Sequence, residues 1–458
     1  MTAIAALILA AGKGTRMKSE HPKVLHAIAG EPLLGHVLAA LSGLKPERTV
    51  VVVGFGASEV ENYLKKLPLE VETVEQSEQK GTGHAVMMAL PAFEGFEGDV
   101  LILSGDVPMI SPATLERMIE AHKKSRSSLT LLATLVEQPK GYGRIKREGD
   151  RFLGIVEERD ASEEERKIKE VNAGIYLARW ADLKSALAGL SNENAQGEYY
   201  LTDAVTKLAP RGVGVVLSDD PIETLGVNSR SELVRLSREY RLRSAERWLE
   251  LGVTIDSPET TWIGPWLSIG GDTVIEQGVS LTGQTSIGAR CRIGQHSEIE
   301  NSSVFDEARI LSSRITDSEI GAGTTVGPFA HLRNHASLGK GVRVGNFVEI
   351  KGSRLEDGAK ASHLSYLGDA HIEGKVNVGA GTITCNYDGE KKHPTVIRAG
   401  AFIGSNSTLV APVTIGEGAY VAAGSVITQD VPAEALAFGR SRQTVKEQWV
   451  TKRKGKVR

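Results

Sequence analysis

The segment Leu9–Met17 reads LAAGKGTRM and follows directly on an apolar run. Its glycines let a backbone loop approach a phosphate closely, and successive amides can cradle the anion. Arg16 and Lys23 add fixed positive charge beside that loop. A Walker A loop is excluded, because the position five before Gly12 is Leu7 rather than glycine. A Rossmann dinucleotide loop fits poorly, since Met17 stands where its third glycine should be. Further on, SGDVP (104–108) places Asp106 at the end of a second apolar run, where open α/β sheets bind ligands. A different constellation lies in the C-terminal half. Arg333 and Lys351 stand three hexapeptides apart, each directly after an aliphatic residue. If they stack, the two cations are destabilising unless an anion sits between or over them, so the pair reads as a phosphate site. Ser405 and Ala423 have the same spacing, and small residues stacked there would leave a shallow groove for a long ligand. His363 lies in KASHLSYLGDA (360–370), which reads as an interruption of the surrounding repeat. Loops set into a regular scaffold are where function concentrates, so His363 reads as catalytic rather than structural.

The elements that must position these residues are of two kinds. An aliphatic residue falls at every sixth position from Ile263 to Ile299, again from Ile320 to Ile350, and again from Ile397 to Ile427. A period of six is neither helical nor a plain alternating strand; it is the signature of a hexapeptide parallel β-helix. Three hexapeptides make one triangular coil, so residues at that spacing should stack about 4.8 Å apart. The glycine after many of these aliphatics, as in Ile287-Gly288 and Ile403-Gly404, is expected to supply the positive φ of a tight corner. The first half instead alternates apolar runs with helical patterns, with strands expected at 4–9, 50–53, 71–74, 100–103, 129–135, 173–177 and 213–217. Helices are expected at 33–44, 59–67, 84–90 and 112–124. That alternation argues for a Rossmann-like α/β layer fold with a largely parallel sheet. The expected organisation is an α/β domain at 1–228, a linker helix at 229–251, a β-helix at 252–440 and a basic tail at 441–458. The tail ends in KRKGKVR, and such a run is usually solvated and disordered.

Composition narrows the classes further. With 54 basic and 57 acidic residues the net charge is −3, which makes no global case for nucleic-acid binding. Two cysteines, Cys291 and Cys385, argue against a disulfide framework and suit a reducing compartment. The apolar start, Thr2 to Ala11, is too short to span a membrane and lacks a basic leader, so a cytoplasmic protein without stable membrane insertion is expected.

The motifs of the first half, taken in order, resemble those of the sugar-nucleotide pyrophosphorylases. They are the loop at 9–17, HPKVLH (21–26), EQKGTGHA (78–85), SGDVP, GYGRI (141–145), VEERDA (156–161), NAGIY (172–176) and GVN (226–228). The resemblance implies that Leu9, Ala10, Ala11, Gly12 and Lys23 cradle a UTP, and that Gln76, Gly81 and Thr82 read its uracil. It also implies that Gly143, Glu157 and Asn172 hold a sugar, and that Asp106 and Asn228 hold Mg²⁺. The implied reaction is attack of a sugar 1-phosphate on the α-phosphate of UTP, with Arg16 and Lys23 stabilising charge in the transition state. No side-chain base is needed, because the attacking phosphate is already ionised. Mg²⁺ favours oxygen ligands and few protein contacts, which suits one Asp and one Asn.

The second half resembles the hexapeptide acyltransferases, which wind left-handed. The whole chain looks like the bifunctional bacterial enzymes that make UDP-N-acetylglucosamine, with GPFAHLR (327–333), VGNFVEIK (344–351), SHLSYLGDA (362–370) and GAGTITCNYDG (379–389) as characteristic segments. That resemblance implies that His363 is a general base for acetyl transfer from acetyl-CoA to glucosamine-1-phosphate, oriented by Glu349. Arg333, Lys351, Tyr366 and Asn377 would hold the sugar phosphate, and Ala380, Asn386, Tyr387, Ser405, Ala423 and Arg440 would line the acetyl-CoA groove. A homotrimer is implied, with this site between subunits and the basic tail reaching the phosphates of CoA. The competing reading is a single-function sugar nucleotidyltransferase whose β-helix only oligomerises or regulates.

Overall fold

The computed structural model describes residues 3–454. The chain forms two compact units, Met1–Leu242 and Arg243–Arg458. In the first, the apolar runs become strands β1 (Ala3–Leu9), β2 (Thr49–Val53), β3 (Glu72–Glu75), β4 (Gly98–Ser104), β5 (Leu129–Leu135), β6 (Arg144–Glu148), β7 (Arg151–Val156), β8 (Glu170–Arg179) and β9 (Val213–Leu217). Ala5 to Ile8 of β1 are fully buried, because helices cover both faces of a parallel sheet and leave no solvated side for alternation. The order across the sheet is β9-β5-β8-β4-β1-β2-β3, with the β6–β7 hairpin attached to β8. β8 runs antiparallel to both of its long neighbours, β4 and β5. The main run of the sheet is therefore largely parallel, as expected, with β8 as its antiparallel strand.

The helices of this unit are α1 (Leu33–Ser42), α2 (Ala57–Leu64), α3 (Thr82–Met88), α4 (Pro112–Ser125), α5 (Trp180–Leu187), α6 (Leu201–Leu208) and the first part of α7 (Arg230–Glu250). The sequence reading missed the β6–β7 hairpin, α5 and α6. For α6 the signal was present: Leu201, Ala204, Val205 and Leu208 repeat at helical spacing and are buried. In the hairpin RIKRE–RFLGIV only the second strand carries an apolar run, and the first has a single apolar residue, Ile145, so the pair leaves a one-sided pattern. Among the described residues no helix is long and apolar enough to cross a membrane.

The second unit is a parallel β-helix whose faces are sheets of 11, 10 and 9 short strands. The aliphatic ladder points inward throughout: Ile275, Leu281, Ile293, Leu332, Ile350, Ile397 and Leu409 are fully buried. Ala245 and Trp248, near the end of α7, pack into the same core. A one-residue slip would turn every inward side chain to solvent, at about 1.5–3 kcal/mol for each large aliphatic. Irregularities are therefore absorbed at the corners. Ile263 pairs with Leu281 and Leu332 with Ile350, which keeps the spacing of three hexapeptides. Ile299 pairs with Ile315 and Ile350 with Leu367, which falls short of it. The three-hexapeptide rule thus holds coil by coil and fails as a global ruler.

Two expectations are corrected here. Among the glycines that follow an inward aliphatic, Gly288 and Gly404 do not adopt positive φ, whereas Gly327 does, at 101°. Gly288 and Gly404 are needed because coils approach too closely for a side chain. A Cβ at Gly404 would collide with the amide nitrogen of Ala423. The segment 360–370 is not an inserted loop. Ala361, Leu367, Ile372, Val378 and Thr384 continue the inward ladder and are buried. The insertion falls later, where Ile372 pairs with Ile397 across a coil lengthened by more than one hexapeptide. It is closed by an isolated bridge between Tyr387 and Lys392. Towards the C-terminus, residues Trp449–Lys454 form a short exposed helix, α8, and 455–458 of the basic tail lie outside the described residues.

Candidate active sites

In the first unit the candidate residues gather at the C-terminal edge of β1, β3 and β4. Gly105 donates its amide to the Leu9 carbonyl, which ties SGD to the glycine loop. Val227 donates to the Asp106 carbonyl at 2.9 Å, which brings GVN to the same point. Asn228 is then fixed by the start of α7, where Ser229 and Glu232 form a reciprocal capping box: Glu232 N donates to Ser229 Oγ, and Ser229 N donates to Glu232 Oε2. The half-buried Lys23 ammonium forms an ion pair with Asp106 and donates to Asn228 Oδ1 at 3.2 Å. Ser104 Oγ donates to the other Asp106 oxygen at 2.6 Å and so orients the carboxylate. Oxygens of Asp106 and Asn228 therefore converge on one cation. Arg16 is exposed on a short turn after the loop, and Arg230 holds that turn by donating to the Met17 carbonyl.

The proposed base and sugar contacts stand around this centre. Gln76 is buried and donates to the Gly81 carbonyl at 3.0 Å, while Thr82 Oγ1 accepts from Leu201 N. Gly81 has φ of 102°, and a Cβ there would meet the Tyr199 carbonyl at 2.6 Å, so the loop requires glycine. Because β8 runs antiparallel, Asn172 near its start reaches the same end of the sheet. Its amide nitrogen donates to the Gly143 carbonyl, and its side chain donates to Tyr176 Oη at 2.6 Å. Burial raises the Glu157 carboxyl above its ordinary titration range, partly offset by a 2.9 Å hydrogen bond from Thr202 Oγ1. Sequence reasoning passed over Arg144, which is almost wholly buried and pairs with Glu158 at 2.5 Å, bracing the strand that follows Gly143.

In the second unit, Arg333 and Lys351 stack on adjacent coils. The anion that makes this tolerable is Glu349, which accepts from Arg333 Nε at 2.9 Å and Nη2 at 2.6 Å. Lys351 has no ion pair among the described residues, and its ammonium is available to a ligand. Glu349 and Tyr366 are register neighbours on the same sheet. The Tyr366 hydroxyl and the Asn386 side-chain amide both lie where a Cβ on Gly368 would stand. Asn377 belongs to a different sheet, between Lys360 and Phe402, and does not join this cluster within one chain.

His363 ends the strand Lys360–His363 and is exposed. Its Nδ1 lies 2.7 Å from Asn346 Oδ1, so Glu349, expected to orient it, is replaced in that position by Asn346. Asn346 and His363 are register partners. Continuing the same register places Ala380, Ser405 and Ala423 in one column below His363. Arg440 Cδ lies 3.6 Å from the Cβ position of Gly424, beside the foot of that column. Asn386, at the start of the insertion, is buried with its side-chain amide donating to Asp369, and Tyr387 beside it is exposed. Asp388, which the sequence reading did not single out, orders the insertion. The Lys391 amide, the His393 ring and the Glu390 amide hold its carboxyl far below the usual range. The close approach of coils at His363 depends on Gly345, whose Cβ would overlap the Ser362 carbonyl oxygen. Gly345→Ala is expected to lower stability by about 1–3 kcal/mol and to reduce acetyl transfer, as urea unfolding and a thiol-release assay would show.

Comparison with known proteins agrees with this division. A MobA-like NTP transferase domain matches residues 6–198, a GMPPB C-terminal domain matches 263–357, and a bacterial transferase hexapeptide (six repeats) model matches 394–429. The hexapeptide match accords with a left-handed winding of the β-helix. The bifunctional protein GlmU of Thermotoga maritima is 49% identical over 449 residues, covering 98% of this chain and 99% of the relative. Its counterpart in Synechococcus elongatus is 47% identical over 450 residues, covering 98% and 99%. That of Geobacillus thermodenitrificans is 47% identical over 454 residues, covering 98% of each chain. At this identity over nearly the full length of both partners, the chain belongs to the family of the bifunctional protein GlmU.

Proposed function

We propose that this chain carries out two transfers in the synthesis of UDP-N-acetylglucosamine. The observation that carries this reading is that each unit contains its own constellation, one suited to nucleotide phosphates and one to acyl transfer. In the β-helix unit, the amine of glucosamine-1-phosphate attacks the thioester carbonyl of acetyl-CoA. The C–N bond forms, the C–S bond breaks, His363 takes the amine proton, and CoA leaves as the thiol. Arg333, Lys351 and Tyr366 hold the sugar phosphate, and the column Ala380, Ser405 and Ala423 leaves a groove for the acyl donor. Asn386, Tyr387 and Arg440 border it. In the α/β unit, the phosphate of N-acetylglucosamine-1-phosphate attacks the α-phosphorus of UTP, and pyrophosphate leaves. Leu9 to Gly12 cradle the nucleotide, Gln76, Gly81 and Thr82 hold its base, and Gly143, Glu157 and Asn172 hold the sugar. Arg16 and Lys23 offset charge on the phosphates.

Mg²⁺ fits the α/β unit, because the oxygens of Asp106 and Asn228 already converge on a cation, the Lys23 ammonium. Asp106 and Asn228 would hold it, and when bound it would supply positive charge to offset that of the phosphates. A homotrimer built on the β-helix would bring Asn377 of one chain towards the Arg333 and Lys351 cluster of another. Its support is a corner of exposed apolar side chains beside His363: Phe329, Phe347 and Leu364 are 59%, 55% and 61% exposed. A cytoplasmic location follows from the metabolites involved.

The deciding assay supplies glucosamine-1-phosphate and acetyl-CoA and measures free thiol. No release would leave only the single-function nucleotidyltransferase. Glu157 adds a pH test. A carboxylate accepts hydrogen bonds from sugar hydroxyls when ionised, and burial raises the pH at which it ionises. Uridylyl transfer should therefore lose kcat/KM for N-acetylglucosamine-1-phosphate as pH falls, beginning above the ordinary carboxylate range. Glu157→Gln should flatten that limb.

A further inference from the structure

We propose that Asn346 is a positioning residue for acetyl transfer, holding His363 in the tautomer whose Nε2 is free to accept the amine proton. The proposal rests on the reading of His363 as the general base. A neutral imidazole carries one N–H, and the partner of one nitrogen decides which it is. His363 Nδ1 faces Asn346 Oδ1 at 2.7 Å. With Nδ1–H donating to that oxygen, the lone pair stands on Nε2. Glu349 does not supply this acceptor: it stands on another sheet, where it pairs with Arg333.

The placement of Asn346 argues for orientation rather than substrate contact. It heads the column of register equivalents, on the coil before His363. Ala380, Ser405 and Ala423, which leave the groove, follow on the other side. Three backbone features hold the pair in register. Gly345 permits the close approach of the two coils. Leu364 N donates to the Asn346 carbonyl at 3.0 Å. Phe347 and Leu364, each directly after a member of the pair, take left-handed φ of 57° and 49°. The two Cα–Cβ bonds consequently leave equivalent corners in parallel. A neutral amide in this position also fixes the ring without adding a charge that would stabilise the imidazolium.

The test measures thiol release from acetyl-CoA with glucosamine-1-phosphate across pH, using the full chain and its Asn346→Ala, Asn346→Asp and His363→Ala variants. Asn346→Ala should lower kcat about tenfold, the scale of one orienting hydrogen bond, with KM for both substrates little changed. Asn346→Asp restores an acceptor, so activity should recover at high pH. Its carboxylate stabilises the imidazolium, so the acid limb should move to higher pH. Wild-type kcat and pH profile in Asn346→Ala, a loss confined to KM, or no recovery in Asn346→Asp at any pH would each overturn the proposal. If His363→Ala keeps full thiol release, the general-base reading fails and the proposal falls with it. If His363→Ala is inactive while Asn346→Ala behaves as wild type, only the role of Asn346 is lost.

Discussion

Replacing His363 with alanine should abolish acetyl transfer, by roughly 10²–10⁴-fold in kcat, the usual contribution of a positioned general base. Uridylyl transfer should stay at the wild-type rate. The amine of glucosamine-1-phosphate must lose a proton as it attacks the thioester, and His363 is the imidazole that stands over the groove column to take it. Arg333 and Lys351, proposed above to hold the sugar phosphate, stand on another sheet and are untouched by the change, so KM for the sugar phosphate should move little. His363 is exposed and its ring fills no core position, so the fold should survive the substitution. Thiol release and pyrophosphate release, measured on the same preparation, separate the two activities. Equal loss of both would show that the units are not independent.

Asp106→Ala should stop UTP turnover, by about 10²-fold or more, while thiol release from acetyl-CoA continues. The carboxylate anchors the centre of the α/β site. It pairs with Lys23, accepts from Ser104, and its main-chain carbonyl receives the Val227 amide that brings Asn228 in. Alanine keeps that backbone bond but leaves the half-buried Lys23 ammonium without its counter-ion and removes the carboxylate proposed to hold Mg²⁺. The loss should therefore appear in kcat for pyrophosphate release and should not be recovered by raising Mg²⁺. Recovery at high Mg²⁺ would mean that Asp106 contributes only binding. A fall in thiol release would contradict the separation of the two sites.

Much of this could be read along the chain. The candidate phosphate loop stands out because glycines and cations follow directly on a buried strand, and Asp106 because it follows the end of another. The inward ladder stands out because six-residue periodicity records, coil after coil, which side chains must leave water. Other features were legible and passed over: the capping box of Ser229 and Glu232 is local, and the apolar face of α6 follows helical spacing. Gly288 and Gly404 show a limit of such reading: a glycine in the repeat marks a place without a side chain, but whether positive φ or a neighbouring coil excludes one is visible only in the packed coils.

What the sequence by itself determined is the division into two kinds of architecture, the direction in which aliphatic side chains point, and the residue types gathered for phosphate and acyl chemistry. Those follow from burial, which acts on each position locally and leaves a periodic trace. Only the tertiary structure decided which outward side chains meet. His363 finds Asn346 because their coil is one residue shorter than the coil that sets Arg333 beside Lys351, whereas Glu349 stands on another sheet. Coil length accumulates through small changes at corners that expose no hydrophobic group and so carry no pattern. The antiparallel course of β8, which delivers Asn172 to the nucleotide end, has the same origin: strand direction is set by pairing partners distant in the chain.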